Sequence, residues 1–399
     1  MKIVQINTTC GSGSTGKICL AVSKLLSAQG TENYILYSMG FSDYSQAIKY
    51  TNRIILLLQA IFEKITGLYG FGAKIATFKL IRLLKQIDPD IVHIHNIHTH
   101  DCDFEMLFKY LNKNHKKVYW TFHDCWAFTG YCTHFVIPNC NKWKTQCYNC
   151  ALYKQYSPIW DLSRVLYNRK KCLLLQSDIT IITPSKWLGD IVRQSYLSHK
   201  DIRVINNGID LDIFKPSISD FRNINGCLNK FVILGIANVW TPEKGICEFI
   251  RLAQELGDDY QIVLVGTDSK VDMRLPSNII SIHHTQNQKQ LAEIYTASDL
   301  FVIPTYEENF PTVNIEALAC GTPVLTYNTG GSSEMLDSLT GMITKENTYE
   351  NLRNIIVSYK EGERLNPKDC LKKAQTYSDV IKLGQYLELY REYADTKKI

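Results

Sequence analysis

The chain has 399 residues, 45% of them hydrophobic, and a formal net charge of +5. This length exceeds one ordinary hydrophobic core and suits two domains. The charge is uneven: residues 1–205 hold 25 Lys and Arg against 13 Asp and Glu (+12), and residues 206–399 hold 19 against 26 (−7). A basic first half predicts an anionic partner, either a membrane surface or a lipid diphosphate, with a solvated basic face as the alternative. We expect no nucleic acid as a partner, because no motif typical of nucleic-acid binding occurs.

The sequence predicts a cytoplasmic protein. Met1-Lys2 leads directly into the apolar run Ile3–Ile6, which is typical of a first strand and not of a secretory signal. The longest uncharged apolar run, between Arg53 and Glu63, is too short to cross a bilayer. Thirteen cysteines in such a chain indicate a reducing compartment, with free thiols or metal ligands in place of disulfides.

Short apolar runs alternate with helical patterns along the chain, which predicts two doubly wound α/β domains. The pattern breaks between about Val204 and Asn229, so we place the domain boundary after residue 205. The clearest predicted strands are Lys2–Asn7, Ile91–His95, Val118–Phe122, Ile179–Thr183, Phe231–Ile236, Gln261–Val265, Leu300–Pro304 and Pro323–Thr326.

A glycine-rich loop, Gly11-Ser12-Gly13-Ser-Thr-Gly16-Lys17, follows the first predicted strand. It matches the spacing of an NTPase phosphate loop, but Ile18 replaces the Ser or Thr that such a loop needs for Mg²⁺. We therefore expect a flexible loop whose backbone amides approach a sugar or a phosphate. The alternative is a tight turn without a ligand.

Residues 51–87 mix apolar clusters with six cations and one acid, Glu63. A helix in this segment could bury one face and present Lys and Arg on another, as interfacial helices do. The alternative is a core helix with an ordinary solvated face.

His123 and Asp124 end a predicted strand, and the carboxyl ends of parallel strands line the ligand crevice of open α/β sheets. We therefore expect both to face a ligand; a loop histidine with a backbone partner is the alternative for His123. Structural or ligand-lining roles are expected for four further histidines, in place of a metal site: His93, His95, His98 and His100.

Four cysteines follow in a polar, loop-like stretch: Cys132, Cys140, Cys147 and Cys150. Four thiols suit tetrahedral zinc, which would staple the loop and perform no chemistry. Only the last pair has the spacing of a zinc knuckle, so reduced thiols or occasional disulfides are the alternatives.

Residues 299–331 carry the most specific pattern of the chain. Glu308 follows a predicted strand, and Glu316 lies eight positions later, inside a helix predicted from about Thr312 to before Gly321. The free N–H groups and positive dipole end of a helix N-terminus favour phosphate, and a carboxylate accepts two hydrogen bonds from a vicinal diol. One acid near a ribose, one near a hexose and a helix end near a diphosphate describe a nucleotide-sugar site.

The segment Glu308-Asn-Phe-Pro-Thr-Val-Asn-Ile-Glu316-Ala-Leu-Ala-Cys-Gly-Thr-Pro-Val resembles the E-x7-E signature of retaining GT-B glycosyltransferases of family GT4. The resemblance extends over essentially the whole chain, through weaker matches. These are Pro89–His93, Asn206–Asp210, Phe214, Thr329–Gly331 and Glu334.

The resemblance implies a GT-B fold, with two Rossmann-like domains facing a cleft. Residues 1–205, with a Cys-rich loop at 125–150, would bind the acceptor; residues 206–380 would bind the nucleotide sugar; residues 381–399 would form a helix that crosses back to the first domain. The activity implied is retaining transfer of a hexose from a UDP- or GDP-linked donor to a lipid-linked or soluble glycan. A peripheral position on the inner membrane and a role in capsule, exopolysaccharide or lipopolysaccharide synthesis follow.

The resemblance also implies roles for single residues. Lys244 would face the donor diphosphate, whereas Val239 stands where the family commonly has an Arg. Glu316 would hold the ribose, Glu308 would fix the hexose, and His123 and Asp124 would lie near the transferred sugar and the acceptor. The expected catalytic residues are His123, Asp124, Lys244 and Glu308. The remaining donor-binding positions are Gly11, Ser12, Gly13, Asn309, Phe310 and Pro311. No cofactor and no divalent metal would be needed for catalysis.

Two other functions remain open. A nucleotide-sugar epimerase can share this fold, but the E-x7-E loop argues against it. A non-catalytic partner subunit of a glycosyltransferase is the second alternative, and the retained Glu308, Glu316 and Lys244 argue against that.

Overall fold

A computed structural model describes residues 1–396; residues 397–399, the end of the helix expected over 381–399, lie outside the described residues. The chain forms two compact units. The first unit holds Met1–Ile205 together with the chain from Leu383 onward, and the second unit holds Asn206–Lys382.

Seven parallel strands form the sheet of the first unit: β1 (Lys2–Thr9), β2 (Glu32–Met39), β3 (Ala47–Lys49), β4 (Ile91–Ile94), β5 (Lys117–Thr121), β6 (Ile179–Thr183) and β7 (Asp201–Val204). Their order is β3-β2-β1-β4-β5-β6-β7. The order reverses between β1 and β4, and doubly wound sheets bind ligands at the carboxyl ends of strands flanking such a point. The segments after β1 and β4 are therefore the expected ligand-binding edge of this sheet.

Seven helices accompany this sheet: α1 (Gly13–Ala28), α2 (Arg53–Thr66), α3 (Lys74–Ile87), α4 (Phe104–Lys113), α5 (Tyr153–Tyr156), α6 (Ser163–Gln176) and α7 (Lys186–Arg193). Helix α4 illustrates how the sequence specifies them. Its buried residues Phe104, Leu107, Phe108 and Leu111 recur at helical spacing and line one face. Asp103 caps its start by accepting the N–H of Met106 at 2.9 Å.

Six parallel strands form the sheet of the second unit: β8 (Phe231–Ile236), β9 (Tyr260–Val265), β10 (Ile279–Ile282), β11 (Leu300–Ile303), β12 (Val324–Thr326) and β13 (Gly341–Ile343). Their order is β10-β9-β8-β11-β12-β13, so this sheet reverses between β8 and β11. The loops after these two strands carry Lys244 and Glu308, as a ligand site at the reversal requires.

Helices cover this second sheet as well: α8 (Phe221–Ile224), α9 (Ile246–Glu255), α10 (Ser269–Asp272), α11 (Gln288–Thr296), α12 (Thr312–Ala319), α13 (Tyr349–Glu361) and α14 (Pro367–Gln375). The last helix, α15 (Asp379–Thr396), begins in the second unit and continues into the first. Its buried Tyr386, Leu387 and Tyr390 pack with Ile3 and Val22 of the first unit. The predicted return of the C-terminal helix to the first domain is confirmed.

All eight predicted strands are present, with ends shifted by at most two residues, and five further strands were missed. Four of those five are the edge strands β3, β7, β10 and β13, each only three or four residues long. An edge strand is paired on one side only, so it lacks the continuous apolar run that marks a central parallel strand. Within residues 1–396, no helix combines the length and apolar character needed to cross a membrane.

Candidate functional site

The loop that carries Glu308 is held against a glycine pair. It follows β11, whose four residues are all buried. Gly330 has a φ of 57°, and a Cβ at this position would lie 1.7 Å from the carbonyl oxygen of Glu308. Gly331 donates its N–H to the carbonyl oxygen of Asn309 at 2.8 Å. Only glycine at 330 permits this approach, which gives the Gly330-Gly331 pattern a physical reason.

Lys244 and Glu308 form an ion pair. Lys244 ends the 3₁₀ turn Pro242–Lys244 beyond β8, and its Nζ lies 2.9 Å from Glu308 Oε2. The ammonium also donates to the carbonyl oxygen of Glu307 at 3.4 Å. Both side chains keep part of their surface exposed, 39% for Lys244 and 22% for Glu308. The pair therefore offers a cation and a carboxylate side by side to a bound ligand.

The turn that carries Lys244 is locked to the Glu308 loop. Gly245 has a φ of 81°, and a Cβ there would lie 2.5 Å from the ring of Pro304. Tyr306 donates its N–H to the carbonyl oxygen of Glu243 at 2.9 Å. Val239, where the resemblance places an Arg, is 68% exposed and adds no charge. Lys244 is thus the cation that this turn contributes.

Glu316 lies on α12 and is anchored by a residue that sequence reasoning missed. Its Oε2 accepts a hydrogen bond from the Tyr295 hydroxyl of α11 at 3.1 Å. Tyr295 is fully buried, and burial raises the pKa of its hydroxyl well above the usual value. Glu316 itself is half-buried, and the hydrogen bond from Tyr295 holds one oxygen of its carboxylate on the buried side. Nothing in the sequence around Tyr295 distinguishes it from an ordinary core tyrosine.

The start of α12 is an uncapped helix N-terminus. Pro311 occupies the cap position and supplies no side-chain hydrogen bond to the first turn. Its neighbour Phe310 is 4% exposed and packs against Tyr377 with ring centroids 5.9 Å apart. The carbonyl oxygen of Phe310 accepts from Asn207 Nδ2 at 3.2 Å. Phe310 and Asn207 therefore fix the loop from which the helix N-terminus emerges, a position that favours anions.

The glycine-rich loop leads from β1 into α1. Gly11 and Gly13 have φ values of 78° and 66°, a left-handed backbone that favours glycine. Ser12 is the N-cap of α1, and its side chain makes no capping hydrogen bond. At Gly16, a Cβ would lie 2.5 Å from Thr9 Oγ1, so this third glycine lets the helix pack against the strand. The N–H of Gly11 donates to the carbonyl oxygen of Gly16 at 3.0 Å, which closes the loop on itself at the carboxyl end of β1 in the first unit.

Three predicted histidines lie side by side at the ends of β4 and β5, with His93 and His95 buried and His123 half-buried. His95 Nδ1 lies 3.2 Å from His123 Nε2, and His95 Nε2 lies 3.1 Å from Gln5 Oε1. His93 bonds the Tyr390 hydroxyl of α15 through Nδ1 and Thr121 Oγ1 through Nε2. Burial lowers the pKa of His93 to about 3 and that of His123 to about 4. These imidazoles are neutral at pH 7.

Asp124 pairs with His98, a partner that sequence reasoning had grouped only with the other histidines. His98 Nε2 lies 3.1 Å from Asp124 Oδ2, and the His98 ring stacks on Trp126 with centroids 5.1 Å apart. The N–H of Trp126 donates to Asp124 Oδ1 at 2.8 Å. Burial alone would raise the pKa of Asp124, but His98 and the Trp126 amide outweigh it and lower the pKa to about 2. Asp124 is therefore an ionised carboxylate.

The four predicted cysteine ligands are brought together. Cys132, Cys140, Cys147 and Cys150 line one cavity of ≈ 20 Å³. The sulfurs of Cys132 and Cys150 lie 3.8 Å apart, and all thirteen cysteines are free thiols. As the side chains are placed within residues 1–396, no three His, Cys, Asp or Glu form an arrangement that could hold a metal ion.

Residues 51–87 form two helices and not one. Helix α2 is inverted, in the sense that it buries polar side chains and exposes apolar ones. Its buried side chains are polar: Gln59 and Glu63 are 5% and 0% exposed. Glu63 accepts hydrogen bonds from His100 Nδ1 and from the N–H groups of Gly70 and Gly72. The apolar side chains face outward, together with two of α3: Ile54, Leu57, Leu58, Ile61, Phe62, Ile65, Ile75 and Phe78. The alternative of an ordinary core helix holds for α3, which buries Leu80, Ile81 and Leu84. It does not hold for α2, because Gln59 and Glu63 find buried partners.

Comparison with known proteins identifies the family. The model for Glycosyltransferase Family 4 matches residues 18–213, and that for Glycosyl transferases group 1 matches residues 218–376. WcaC of Escherichia coli (strain K12), named for glycosyl transfer in colanic acid biosynthesis, is 24% identical over 364 residues, covering 87% of this chain and 88% of the relative.

Two further likenesses agree. The N,N'-diacetylbacillosaminyl-diphospho-undecaprenol alpha-1,3-N-acetylgalactosaminyltransferase of Campylobacter jejuni is 26% identical over 217 residues, 51% of this chain and 57% of that protein. The structure of HepE from Anabaena, in complex with UDP and glucose, superposes with a TM-score of 0.69 at 15% identity, covering 98% of this chain and 99% of that one. That structural likeness shows the fold. Since the two family models between them span most of the residues, from 18 to 376, the chain belongs to family 4 of the GT-B-fold glycosyltransferases.

Proposed function

We propose that this glycosyltransferase moves a hexose from a nucleotide sugar to a lipid-linked glycan, with retention of anomeric configuration, in the assembly of a bacterial surface polysaccharide. The observation that carries the proposal is the Lys244–Glu308 ion pair, because it combines a cation for the leaving diphosphate with a carboxylate for the sugar. The second unit binds the donor, and the first unit binds the acceptor.

The donor is held by four groups of the second unit. The uncapped N-terminus of α12 and the Lys244 ammonium bind the diphosphate, because both favour negative charge. Glu316, steadied by Tyr295, accepts hydrogen bonds from the ribose diol. Glu308 fixes the hexose hydroxyls. A UDP- or GDP-linked sugar carries all three of the recognised parts.

The reaction needs no protein nucleophile. The acceptor hydroxyl attacks the anomeric carbon on the same face from which the diphosphate departs. The new C–O bond forms as the old one breaks, and the hydroxyl proton passes to the departing phosphate oxygen. Lys244 and the helix N-terminus stabilise the charge that develops on that phosphate. This stabilisation replaces the divalent ion that other transferases use, so no cofactor is required.

The acceptor is bound by the first unit. The neutral His123 imidazole forms a hydrogen bond with a sugar hydroxyl, and the ionised Asp124 accepts a hydrogen bond from the acceptor. At the neighbouring strand end, the backbone of Ser12 and Gly13 approaches the sugar or a phosphate of the donor, and Gly11, with a φ of 78°, supplies the turn. Asp124 acts as a positioning residue and not as the base, because its pKa of about 2 makes it a poor proton acceptor at neutral pH.

The lipid-linked acceptor is supported by two observations. The Campylobacter jejuni relative is named for a diphospho-undecaprenol acceptor, and the Escherichia coli relative is named for colanic acid biosynthesis. Helix α2 presents an apolar face to solvent, with exposed basic residues on α2 and α3 around it. Such a surface suits an anionic membrane, where each basic residue contributes about 1 kcal/mol. We infer a peripheral position on the cytoplasmic side of the inner membrane.

A panel of nucleotide sugars tests the proposal. A donor that binds only the folded chain raises its unfolding midpoint, so the panel identifies base and sugar by thermal shift. The donor so found is then incubated with the chain and a lipid-linked acceptor, and NMR of the product gives the anomeric configuration. A product whose anomer matches the donor supports retention, and the opposite anomer excludes it. Conversion of the donor alone into an epimer would favour the epimerase function.

A further inference from the structure

We propose that Cys132, Cys140, Cys147 and Cys150 bind one structural zinc ion that staples the loop between β5 and α6. The site lies in the first unit and plays no part in the transfer reaction proposed above. The four cysteines come from separate points of an irregular segment, yet all four side chains line one cavity of ≈ 20 Å³. That space is large enough for a single water-sized guest.

One pair of sulfurs has the spacing found in a zinc tetrahedron. A zinc–sulfur bond of about 2.3 Å places neighbouring sulfurs of a tetrahedral site roughly 3.8 Å apart. Cys132 Sγ and Cys150 Sγ lie 3.8 Å apart, which is one edge of such a tetrahedron. Cys140 and Cys147 line the same cavity but are not yet oriented around a common centre. Rotation of a cysteine to another staggered rotamer redirects its sulfur while the backbone stays in place.

The surroundings of the cavity suit a negatively charged centre. Zinc with four thiolates carries two negative charges. The N–H of Gly130 donates to Cys147 Sγ at 3.3 Å, as backbone amides do to metal-bound thiolates. Lys170 is fully buried, and its ammonium donates to the carbonyl oxygen of Trp126 at 2.5 Å.

The segment has a structural need for a staple. From Thr129 to Leu152, its regular structure is limited to the 3₁₀ turn Lys142–Lys144. Long loops without secondary structure are uncommon inside compact domains and are usually either functional or disordered. The cavity also lies beside the buried aromatic residues Phe135 and Trp143, which join the core of the first unit. A zinc ion would tie this loop to that core.

Elemental analysis of the full chain, purified without a metal-affinity tag, tests the proposal. We expect one zinc per chain, released when a thiol reagent modifies four cysteines, and X-ray absorption with four sulfur neighbours at about 2.3 Å. The Cys147→Ser/Cys150→Ser double variant should lose the zinc and lower the unfolding midpoint. The Cys172→Ser/Cys247→Ser variant, which changes two exposed cysteines, should keep both.

Two results would overturn the site. One is less than about a tenth of a zinc per chain in the wild-type protein grown with adequate zinc. The other is an intact mass, after alkylation of the denatured chain without reductant, that shows disulfides among these cysteines. The thiol-release and absorption measurements use the wild-type chain, so the test holds even if the double variant fails to fold.

Discussion

Lys244 Nζ and Glu308 Oε2 lie 2.9 Å apart, on two loops that follow adjacent strands of the second unit. Because the pair is partly exposed, its own contribution to stability is small, within about 1 kcal/mol. Its contacts with a donor should matter more. We predict that Lys244→Met weakens binding of the nucleoside diphosphate about 10- to 100-fold, since a hydrogen bond to a charged group is worth about 1.5–3 kcal/mol.

Variants of the same two residues should separate diphosphate binding from turnover. Glu308→Ala should lower kcat and leave the affinity for the nucleoside diphosphate nearly unchanged, because the proposed partner of Glu308 is the hexose and not the diphosphate. Calorimetry with the diphosphate and steady-state kinetics with the donor measure the two effects. Lys230→Met, a substitution of another lysine of the second unit, serves as the control. Equal loss of diphosphate affinity in both the Lys244 and Glu308 variants would contradict this division of roles.

Glu316 should act on the nucleotide. We predict that Glu316→Ala raises the Kd for the nucleoside diphosphate by about tenfold or more, since the ribose loses a charged acceptor worth about 1.5–3 kcal/mol. Tyr295→Phe should raise it less, because the carboxylate remains but loses its anchor. Glu363→Ala, on an exposed stretch of the same unit, should leave it unchanged. An unaltered Kd in Glu316→Ala, measured by calorimetry, would show that the ribose lies elsewhere.

A substitution at Gly330 tests whether the loop that carries Glu308 depends on the close contact between the two backbones. Gly330→Ala should destabilise the second unit and abolish donor binding, because the new Cβ would collide with the carbonyl oxygen of Glu308. Gly226→Ala is the matched control: it has a similar φ of 63° but nothing within 4 Å of the new Cβ. We expect it to cost only the left-handed backbone strain, about 1–2 kcal/mol, with donor binding intact. Equal effects of both substitutions on donor binding would remove the proposed role of the contact.

The inverted face of α2 should govern membrane binding. Leu57→Glu/Leu58→Glu should reduce co-sedimentation with anionic vesicles several-fold and leave activity on a short soluble acceptor unchanged. Ile218→Glu, at a fully exposed apolar residue of the second unit, is the control and should bind vesicles as the wild type does. Binding should also fall at high salt and be weak on neutral vesicles. Vesicle binding that none of these conditions alters would place the membrane contact elsewhere.

The buried histidines predict how stability depends on pH. The pKa of His93 is about 3 in the folded chain, below the ordinary value of 6.5, so the unfolded chain takes up a proton first as pH falls. The contribution of neutral His93 to the free energy of unfolding is therefore fully present above about pH 6.5. It is lost progressively as the pH falls towards 3, with each pKa unit worth about 1.4 kcal/mol. Urea unfolding at several pH values, compared between wild type and His93→Gln, measures it. A wild-type profile no steeper than that of His93→Gln would contradict the assignment.

Much of the fold, and which residues meet in the candidate site of the second unit, could be predicted from the sequence, because both depend on local patterns. Central parallel strands show as continuous apolar runs. A fixed spacing in the sequence relates Glu308, Glu316, Gly330 and Gly331. What could not be read depends on contacts distant in the chain. Tyr295 reaches Glu316 across 21 residues, and His98 reaches Asp124 through stacking on Trp126.

The inverted helix illustrates the same limit. The sequence of α2 shows an apolar stripe, and such a stripe normally faces the core. It faces outward because the side chains of Gln59 and Glu63 form hydrogen bonds on the buried side of the helix. Their partners are His100, Gly70, Gly72 and Ala76, which lie up to 41 residues away. No periodicity within the helix contains that information.

Transfer of labelled sugar to a lipid-linked glycan tests the central claim most directly. The purified chain is incubated with the nucleotide sugar that raises its unfolding midpoint and with a diphospho-polyprenol-linked acceptor, and label in the organic extract is counted. We expect time-dependent label in the lipid fraction with the wild-type chain, and almost none with Glu308→Ala at the same donor occupancy. Undiminished transfer by Glu308→Ala, or no transfer and no donor turnover by a wild-type chain that binds the donor, would contradict it.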